Sequence, residues 1–363
     1  MRLLKISIAI VFFFVFFFAY HFSSNAPVTE DEIFRDDEEI QAARSIKQFI
    51  KDLDADKTTY VARGAHSKAH ACVKAFFEIN EIIKPQLQHG LFSQPGRSYK
   101  GWIRFSNAKG GMTGNYDINK DAHGMAIKLF NIYQHGLEKK VDGPDTQEFL
   151  MHDSPVFFVA NIDDYNQFLE SEDKVLYFVK DINPFKWKLR ELMHALETLK
   201  PPPISPLKTQ YFSNTAYKLG SHNIKFSARS CALQDKISSD EKFDPDFLQK
   251  EMAKELTTGT GCFDFMVQLQ DPNKYMPIED PSIEWRESDS PFITVAKIII
   301  PSQEFNSPMQ REFCENLSYS PWNSLFEHRP IGELNRIRKE VYQASSSHRH
   351  KINKAETPTN LDW

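Results

Sequence analysis

Short stretches rich in β-branched and aromatic residues recur through the chain, and each is six to eight residues long. They occupy residues 101–106, 124–130, 155–160, 223–229, 263–269 and 293–300. Glycine, asparagine and aspartate separate the early ones, as is typical of hairpin connections. The pattern therefore predicts an antiparallel sheet of short strands.

Apolar residues at three- and four-residue spacing predict helices around these strands. Four helices are predicted, at residues 29–56, 185–200, 243–256 and 332–350. Thr29 is a suitable N-cap for the first, and the prolines at 201–203 end the second. Strands with helices inserted late and at the C-terminus predict an α+β fold, an antiparallel β-barrel decorated by helices.

The N-terminal segment has the plan of an export signal. Arg2 and Lys5 precede an unbroken apolar run from Ile8 to Tyr20. The run is shorter than the roughly 20 residues of a comfortable membrane span. We therefore expect residues 1–26 to be either a cleaved signal peptide or a membrane anchor. Either way, the remainder would be exported, periplasmic or held at the outer side of the membrane.

The rest of the chain predicts one main domain. We expect a helical arm at 27–58, a barrel domain at 59–352 and a polar tail at 353–363, since no flexible linker divides the long segment. The 363 residues are 41% hydrophobic and 26% charged, as in ordinary globular proteins. The formal net charge of −5 gives a nucleic-acid partner no electrostatic support.

The four cysteines do not form a recognisable metal or redox motif. They are Cys72, Cys231, Cys262 and Cys314, and no C-x-x-C pair occurs. Disulfides would be permitted outside the cytoplasm. The sequence leaves open whether any disulfide forms, and we expect single buried thiols.

The C-terminal helix carries the most informative spacing. Arg338, Tyr342, Ser345 and Arg349 follow one another at steps of four, three and four residues, and such positions share one helical face. Arg338 would favour the phenolate form of Tyr342, a hard anionic ligand suited to ferric iron. Taken alone, the motif also fits a surface helix with basic residues and a half-buried tyrosine.

This spacing resembles the proximal haem helix of the catalase superfamily. In that family the tyrosine is the axial ligand of the haem iron. The resemblance therefore implies that Tyr342 holds the iron of a ferric haem b, and that Arg338, Ser345 and Arg349 help to bind the cofactor. Here Ser345 stands where most catalases have threonine.

The segment at 62–69, followed by residues 75–78, resembles the distal-histidine region of the same family. The resemblance implies that His66 is the distal acid–base and that Arg63 pairs with a haem propionate. A histidine suits this role because its pKa lies near neutral pH. Arg104 and Ser106 match the family's Arg-Phe-Ser, in which the arginine contacts a propionate and the serine supports the distal histidine.

Further segments match the family in the correct order. Residues 155–158 resemble its Pro-x-Phe-Phe segment, so Phe158 is expected at the haem cavity, and Tyr165 is expected to stack on the porphyrin. Residues 121–128 and 217–222 also match, and the likeness extends from about residue 59 to 350. The nearest type is the small bacterial catalase-like haem proteins, which are truncated relative to true catalases.

Three departures bear on function. His152, next to Asp153, stands where true catalases carry asparagine in the distal loop, and either residue could bring a titratable charge towards the iron. Glu287 stands where NADPH-binding catalases have histidine, so NADPH is not supported. The chain also ends 21 residues after Tyr342, and this shorter length predicts a more open pocket for organic hydroperoxides.

The resemblance implies a haem-dependent hydroperoxide-processing enzyme. We expect a peroxidase that acts on hydrogen peroxide or an organic or lipid hydroperoxide, with an unidentified reductant, a membrane contact through the N-terminal segment, and a homodimer as one allowed assembly. The altered position 152 argues against efficient dismutation. The alternatives are a true catalase, a fatty-acid hydroperoxide isomerase and a non-enzymatic haem sensor or carrier.

Overall fold

The computed structural model describes residues 14–55, 60–109, 115–133, 137, 145–232, 244–361 and 363. The helices are α1 (Glu38–Ala55), α2 (Ile162–Glu170), α3 (Leu189–Thr198), α4 (Phe247–Thr258), α5 (Pro308–Asn316) and α6 (Glu333–Asn353). The strands are β1 (Ala69–Ile79), β2 (Ser98–Asn107), β3 (His123–Phe130), β4 (Thr146–His152), β5 (Tyr211–Phe212), β6 (Tyr217–Leu219), β7 (His222–Ser230), β8 (Gly261–Leu269) and β9 (Ile293–Ile300).

The strands form one closed antiparallel barrel. Their order is β5-β4-β3-β2-β1-β9-β8-β7-β6, and β5 also pairs with β7. This second pairing closes eight strands into a barrel and leaves β6 as a hairpin extension of β7. The predicted α+β barrel with inserted and C-terminal helices is therefore confirmed.

Phenylalanine fills the inside of the barrel. Phe77, Phe149, Phe226 and Phe265 are almost completely buried, and neighbouring rings lie with centroids 4.7 to 5.8 Å apart. These separations are typical of favourable aromatic pairs. The packed interior leaves the outer faces of the strands to build a site.

Alternation along the strands decides which residues face outward. On β2, Ile103 and Phe105 belong to the barrel core, so Arg104 and Ser106 lie on the opposite face. On β4, Phe149 and Met151 likewise belong to the core, and His152 falls on the outer face. The barrel wall thus presents polar side chains towards the helices outside it.

Helix α6 lies outside the barrel and packs along α1. Ala42, Leu334, Ile337 and Val341 form a buried cluster between them, to which Ile162 at the start of α2 also belongs. Burying a side chain of this size contributes roughly 1.5 to 3 kcal/mol. The cluster fixes the face of α6 that carries Tyr342.

Two of the predicted elements differ from the structure. Residues 29–37 are not helical, and α1 begins at Glu38. Ile33 donates its backbone N–H to Glu279, and Arg35 pairs with Asp163, so tertiary contacts hold this stretch in a non-helical conformation. Residues 155–160 form no strand. The barrel wall is built instead by β4, which ends at His152, and Pro155 lacks an N–H for a ladder.

The cysteines form two disulfides, so the prediction of single buried thiols was wrong. Cys72 on β1 is bonded to Cys314 on α5, and Cys231 is bonded to Cys262 on β8. The Cα atoms lie 6.0 and 5.3 Å apart, which is the ordinary range for a disulfide. The sequence could not reveal this, because the barrel brings together cysteines that are 242 positions apart in the first pair.

The C-terminal tail packs against the barrel. Leu361 and Trp363 belong to an apolar cluster with Trp102 and Phe313. The Trp102 indole N–H also donates to the Leu361 carbonyl at 2.8 Å. Leu361 and Trp363 of the tail, which was predicted to be polar, therefore cover the outer face of β2.

The predicted leader is described only in part, because residues 1–13 lie outside the described residues. Residues 14–22 are helical, and Phe17 packs on Phe185 with ring centroids 5.4 Å apart. Phe14, Phe16 and Phe18 are exposed. None of the described helices combines the length and the apolar character that crossing a bilayer requires.

Candidate active site

A cavity of about 320 Å³ lies between the barrel wall and the helices. One side is the outer face of β2, β3 and β4, and the other is helix α6 with the start of α2. Most of its lining is apolar, with Phe49, Phe157, Leu150, Ile337 and Val341 among the contributing side chains. Mostly apolar walls with a few polar groups are typical of small-molecule and cofactor sites.

Ten of the twelve predicted site residues line this cavity. They are Arg63, His66, Arg104, Ser106, His152, Tyr165, Arg338, Tyr342, Ser345 and Arg349. The barrel strands, the loop before β1, α2 and α6 all contribute to this set. The structure therefore brings together positions that are up to 286 residues apart in the chain.

Tyr342 is held by Arg338 on one face of α6. The Arg338 guanidinium donates to the Tyr342 hydroxyl at 3.2 Å and to the Asn335 side-chain oxygen at 2.9 Å. Burial opposes the charge of Arg338, but the phenol oxygens of Tyr342 and Tyr217 outweigh it and raise the pKa of Arg338. A permanent cation thus lies against the Tyr342 oxygen, where it favours negative charge.

His66 is positioned by two neighbours on the barrel wall. Its Nδ1 lies 3.1 Å from the Ser106 hydroxyl oxygen. A Cβ at position 124 would lie 2.5 Å from the same Nδ1, so only glycine there leaves room for the ring. His66 also has a positive φ of 55°, a conformation that few non-glycine residues adopt. The imidazole is therefore held in one orientation within the cavity.

The His66 ring is neutral near pH 7. Burial, followed by the charges of His152 and Arg104, lowers the pKa of His66 to about 3. With Nδ1 directed to Ser106, the other ring nitrogen is available as a base. A neutral histidine can accept a proton from a bound acid and later return it.

His152 and Asp153 have different surroundings. His152 lines the cavity, and burial lowers its pKa to about 4, so this ring is neutral rather than charged. Asp153 does not line the cavity. It accepts hydrogen bonds from the His123 backbone N–H at 2.9 Å and lies 3.1 Å from His123 Nδ1. These contacts outweigh burial and hold the Asp153 pKa below its usual range, so its charge is committed to His123.

Phe158 also lies outside the cavity lining, whereas its neighbour Phe157 and Tyr165 line it. The rings of Phe157 and Tyr165 are 5.6 Å apart, and Phe158 packs instead on Phe168 at 4.8 Å. Because residues 155–160 do not form a strand, strand alternation gives no guide to which phenylalanine faces inward. The aromatic wall is therefore built by Phe157 and Tyr165.

Three arginines converge at one end of the cavity, with one carboxylate between them. Arg63, Arg104 and Arg349 line it, and Glu315 at the end of α5 lies 2.6 Å from Arg63 and 3.6 Å from Arg104. The sequence offered no signal for Glu315, which belongs to no recognisable motif in α5. Its role as the partner of these arginines comes from the packing of α5 on β1.

Buried neutral histidines predict a stability that falls in mild acid. Burial lowers the pKa of four of them, His66, His70, His152 and His328. Below about pH 6.5 the unfolded chain binds protons that the folded chain does not, so the free energy of unfolding decreases by about 1.4 kcal/mol per pH unit for each ring. Guanidinium unfolding at pH 7.5, 6.5, 5.5 and 4.5 measures this slope.

The carboxyls of Asp117 and Asp121 act in the opposite direction, because burial raises their pKa values above the ordinary value of 3.8. The histidine effect begins at the ordinary histidine pKa near 6.5, so it is measured between pH 6.5 and 5. In this window the free energy of unfolding of His66→Ala is expected to fall less steeply with decreasing pH, by the contribution of about one proton. A free energy of unfolding that stays constant from pH 7.5 to 5 would contradict the neutral assignment.

No family model matches the chain, and no curated protein matches it significantly. Solved structures do match. A fungal catalase is 14% identical with a TM-score of 0.65, and the match covers 83% of this chain and 61% of that one. Catalase A from Saccharomyces cerevisiae is 15% identical with a TM-score of 0.63, covering 91% and 70%. A bacterial catalase is 16% identical with a TM-score of 0.63, covering 92% and 64%.

These likenesses show that the chain has a catalase-like fold, as the sequence resemblance predicted. The chain spans about three fifths of the length of the fungal catalase that it matches. At 14 to 16% identity the likeness concerns the fold. Any activity must be argued from the cavity itself.

Proposed function

We propose that this chain is a haem-dependent hydroperoxide-processing enzyme, and specifically a peroxidase. One observation carries the proposal: a neutral His66 oriented by Ser106 and a Tyr342 oxygen held by Arg338 line the same cavity. A base without a metal-binding group, or a phenol without a base, would not suggest this chemistry. The likeness to catalases supports the same reading.

The cavity suits an iron macrocycle better than a bare metal ion. Within the described residues, no group of three or more His, Cys, Asp or Glu side chains could hold a metal. An iron bound through Tyr342 alone would need its other ligands from a macrocycle such as haem. Apolar walls would accommodate the ring, and the arginines at one end would pair with its carboxylates.

The free donors of the arginine cluster support the same fit. Arg104 is buried, and its Nε has no hydrogen-bond partner among the residues that the structure describes. A buried donor without a partner costs roughly 1 to 3 kcal/mol unless a ligand or water satisfies it. Arg104, Arg349 and Ser345 would therefore hold haem at its carboxylate end, and the Tyr342 oxygen would bind its iron.

Within this site His66 would move one proton. Its neutral ring takes the proton from the oxygen of the hydroperoxide nearer the cofactor and returns it to the departing oxygen, which leaves as an alcohol or as water. Ser106 keeps the ring in place during both transfers. When bound, haem supplies the two electrons that break the O–O bond. A reductant from solution must then restore those electrons.

His152 supports peroxidase over dismutase activity. A neutral imidazole at this position is bulkier than the asparagine of true catalases and offers a different set of donor and acceptor atoms. It lines the cavity, whereas Asp153 does not. Since dismutation requires a second hydrogen peroxide to be oriented in the same space, a change at this position affects the second step most directly.

The test is an optical spectrum of the haem-loaded chain, followed by stopped-flow mixing with hydrogen peroxide and with a lipid hydroperoxide. A rapid absorbance change, with turnover that requires an added electron donor and releases no oxygen, is the expected result. Oxygen release from hydrogen peroxide alone would indicate a catalase instead. Bound haem that is inert to both hydroperoxides would indicate a carrier or sensor.

We also propose that the domain works outside the cytoplasm. Two disulfides, Cys72–Cys314 and Cys231–Cys262, support an oxidising compartment. The apolar run from Ile8 to Tyr20, with exposed phenylalanines at its described end, supports export and contact with a membrane. Such a location would bring the enzyme near lipid hydroperoxides.

A further inference from the structure

Arg63, Arg104 and Arg349 form the arginine cluster at one end of the cavity. Burial, and then the charge of Arg63, lower the pKa of Arg104 and of Arg349 to about 10. Arg104 and Arg349 are therefore both poorly solvated, and both are repelled by Arg63. The cluster therefore attracts carboxylates strongly.

Glu315 already occupies part of this cluster. Its carboxylate lies 2.6 Å from Arg63 Nη1 and 3.6 Å from Arg104 Nη2. In the described part of the chain it is the only carboxylate that pairs with either arginine. Although burial opposes its charge, the charges of Arg63, Arg104 and Arg349 hold the pKa of Glu315 below its usual range.

The contacts of Arg63 leave little for an incoming ligand. Its Nη1 donates to Glu315, and its Nη2 donates to the carbonyls of Cys314 at 3.1 Å and Leu317 at 2.7 Å. A ligand carboxylate can reach Arg63 Nη1 in the same geometry only where the Glu315 carboxylate now lies. Arg104, in contrast, meets Glu315 only at 3.6 Å, and the described hydrogen bonds of Arg349 join it to the Glu315 backbone carbonyl and to His350.

The backbone beneath Glu315 is fixed while its side chain can turn. Arg349 donates to the Glu315 carbonyl at 2.8 Å, and the neighbouring Cys314 is bonded to Cys72 on β1. The Glu315 side chain is 28% exposed, so its carboxylate can rotate towards solvent without unwinding α5. The backbone at Glu315 is thus held in place, whereas its carboxylate can move away from Arg63.

We propose that Glu315 is an internal competitor for the carboxylates of the bound tetrapyrrole, and that it determines how tightly the cavity holds a dicarboxylate ring. This inference rests on the proposed function, since it takes haem as the ligand. When haem binds, one propionate takes over Arg63 and the Glu315 carboxylate turns outward. The cost of breaking the Glu315–Arg63 pair lowers the affinity for haem.

The experiment is a titration of the full-length apoprotein with haem, followed by absorbance, for the wild type and for Glu315→Gln. The variant should bind haem about 10- to 100-fold more tightly, the range that corresponds to one hydrogen bond between charged groups. Glu312→Gln is the matched control, because Glu312 lies one turn away on α5 and is exposed. It should leave the affinity unchanged.

A second probe isolates the carboxylates. Haem dimethyl ester lacks the negative charges, so its affinity should be nearly the same for the wild type and Glu315→Gln. Glu315→Asp shortens the side chain by one methylene and should give an intermediate increase with haem. Thermal unfolding of each apoprotein confirms that it is folded before titration, and Glu315→Asp provides the comparison if the glutamine variant is unstable.

The outcomes separate this inference from the proposed function. Equal or weaker haem affinity in both Glu315 variants, with haem still bound, would overturn the competitor role and leave the haem site standing. The same gain with haem and its dimethyl ester would also overturn it, because charge would then not be the cause. Absence of haem binding in every variant would overturn the proposed function itself.

Discussion

Replacement of Tyr342 by phenylalanine is expected to remove the axial oxygen ligand and most of the affinity for haem. The ring would still fill its place on α6, and the apolar cluster of Val341 and Ile337 on the same helix should persist. Loss of a group that only orients a metal ligand costs about 10- to 100-fold in affinity, and loss of the ligand itself should cost more. A haem titration and the absorption band of an iron–phenolate bond measure both effects.

Two further variants sharpen this result. Tyr99→Phe also removes one hydroxyl, but from a buried tyrosine that does not line the cavity, and it should retain haem and its spectrum. Tyr342→His offers an imidazole from the same helical position and should restore binding with an altered spectrum. If Tyr342→Phe bound haem with unchanged affinity and spectrum, another group would have to be the ligand.

The fold was predictable from the sequence because its strands show strong local preferences. The ITVAKIII stretch predicts β9 over residues 293–300, and the structure has the strand at those residues. The prediction failed where local preference and tertiary contacts disagree. Residues 29–37 have helical periodicity, yet contacts of Ile33 and Arg35 with distant residues keep them out of the helix.

The cavity could be predicted only where a motif or spacing identified its residues. Tyr342, Arg338 and Arg349 share a helical face, so their common orientation followed from period alone. Glu315 and the Cys72–Cys314 disulfide depend on the packing of α5 on β1, which no local pattern encodes. Residues that share one helix face could thus be predicted from the sequence. Contacts that depend on two elements packing together could not.

The positions of Phe157 and Phe158 illustrate the same limit. Adjacent residues of a strand face opposite sides, but the backbone at 155–160 is irregular, so the choice between the two rings could not be made from alternation. Contacts with His123 explain why His152, and not Asp153, lines the cavity. The side chain and backbone of His123 engage Asp153, and this leaves His152 to line the cavity.

His66→Ala is expected to abolish most of the reaction with hydroperoxides while leaving haem binding intact. The His66 ring pairs with Ser106 and the Tyr342 hydroxyl pairs with Arg338, so loss of the imidazole should leave the iron ligand in place. A positioned acid–base group typically contributes a factor of about 10² to 10⁴ to the rate. The rate constant from stopped-flow mixing should fall by that factor, whereas the haem titration should not change.

Gly124→Ala provides an independent test of the same residue. An added Cβ would lie 2.5 Å from His66 Nδ1, so the imidazole must move from its contact with Ser106. The hydroperoxide rate should fall, although the histidine itself remains. His194→Ala on α3 removes a histidine outside the cavity lining and should change neither rate nor haem affinity. If the hydroperoxide rate survives both His66→Ala and Gly124→Ala, another group must transfer the proton. His152 is then the next candidate, because it lines the same cavity and burial also keeps its ring neutral.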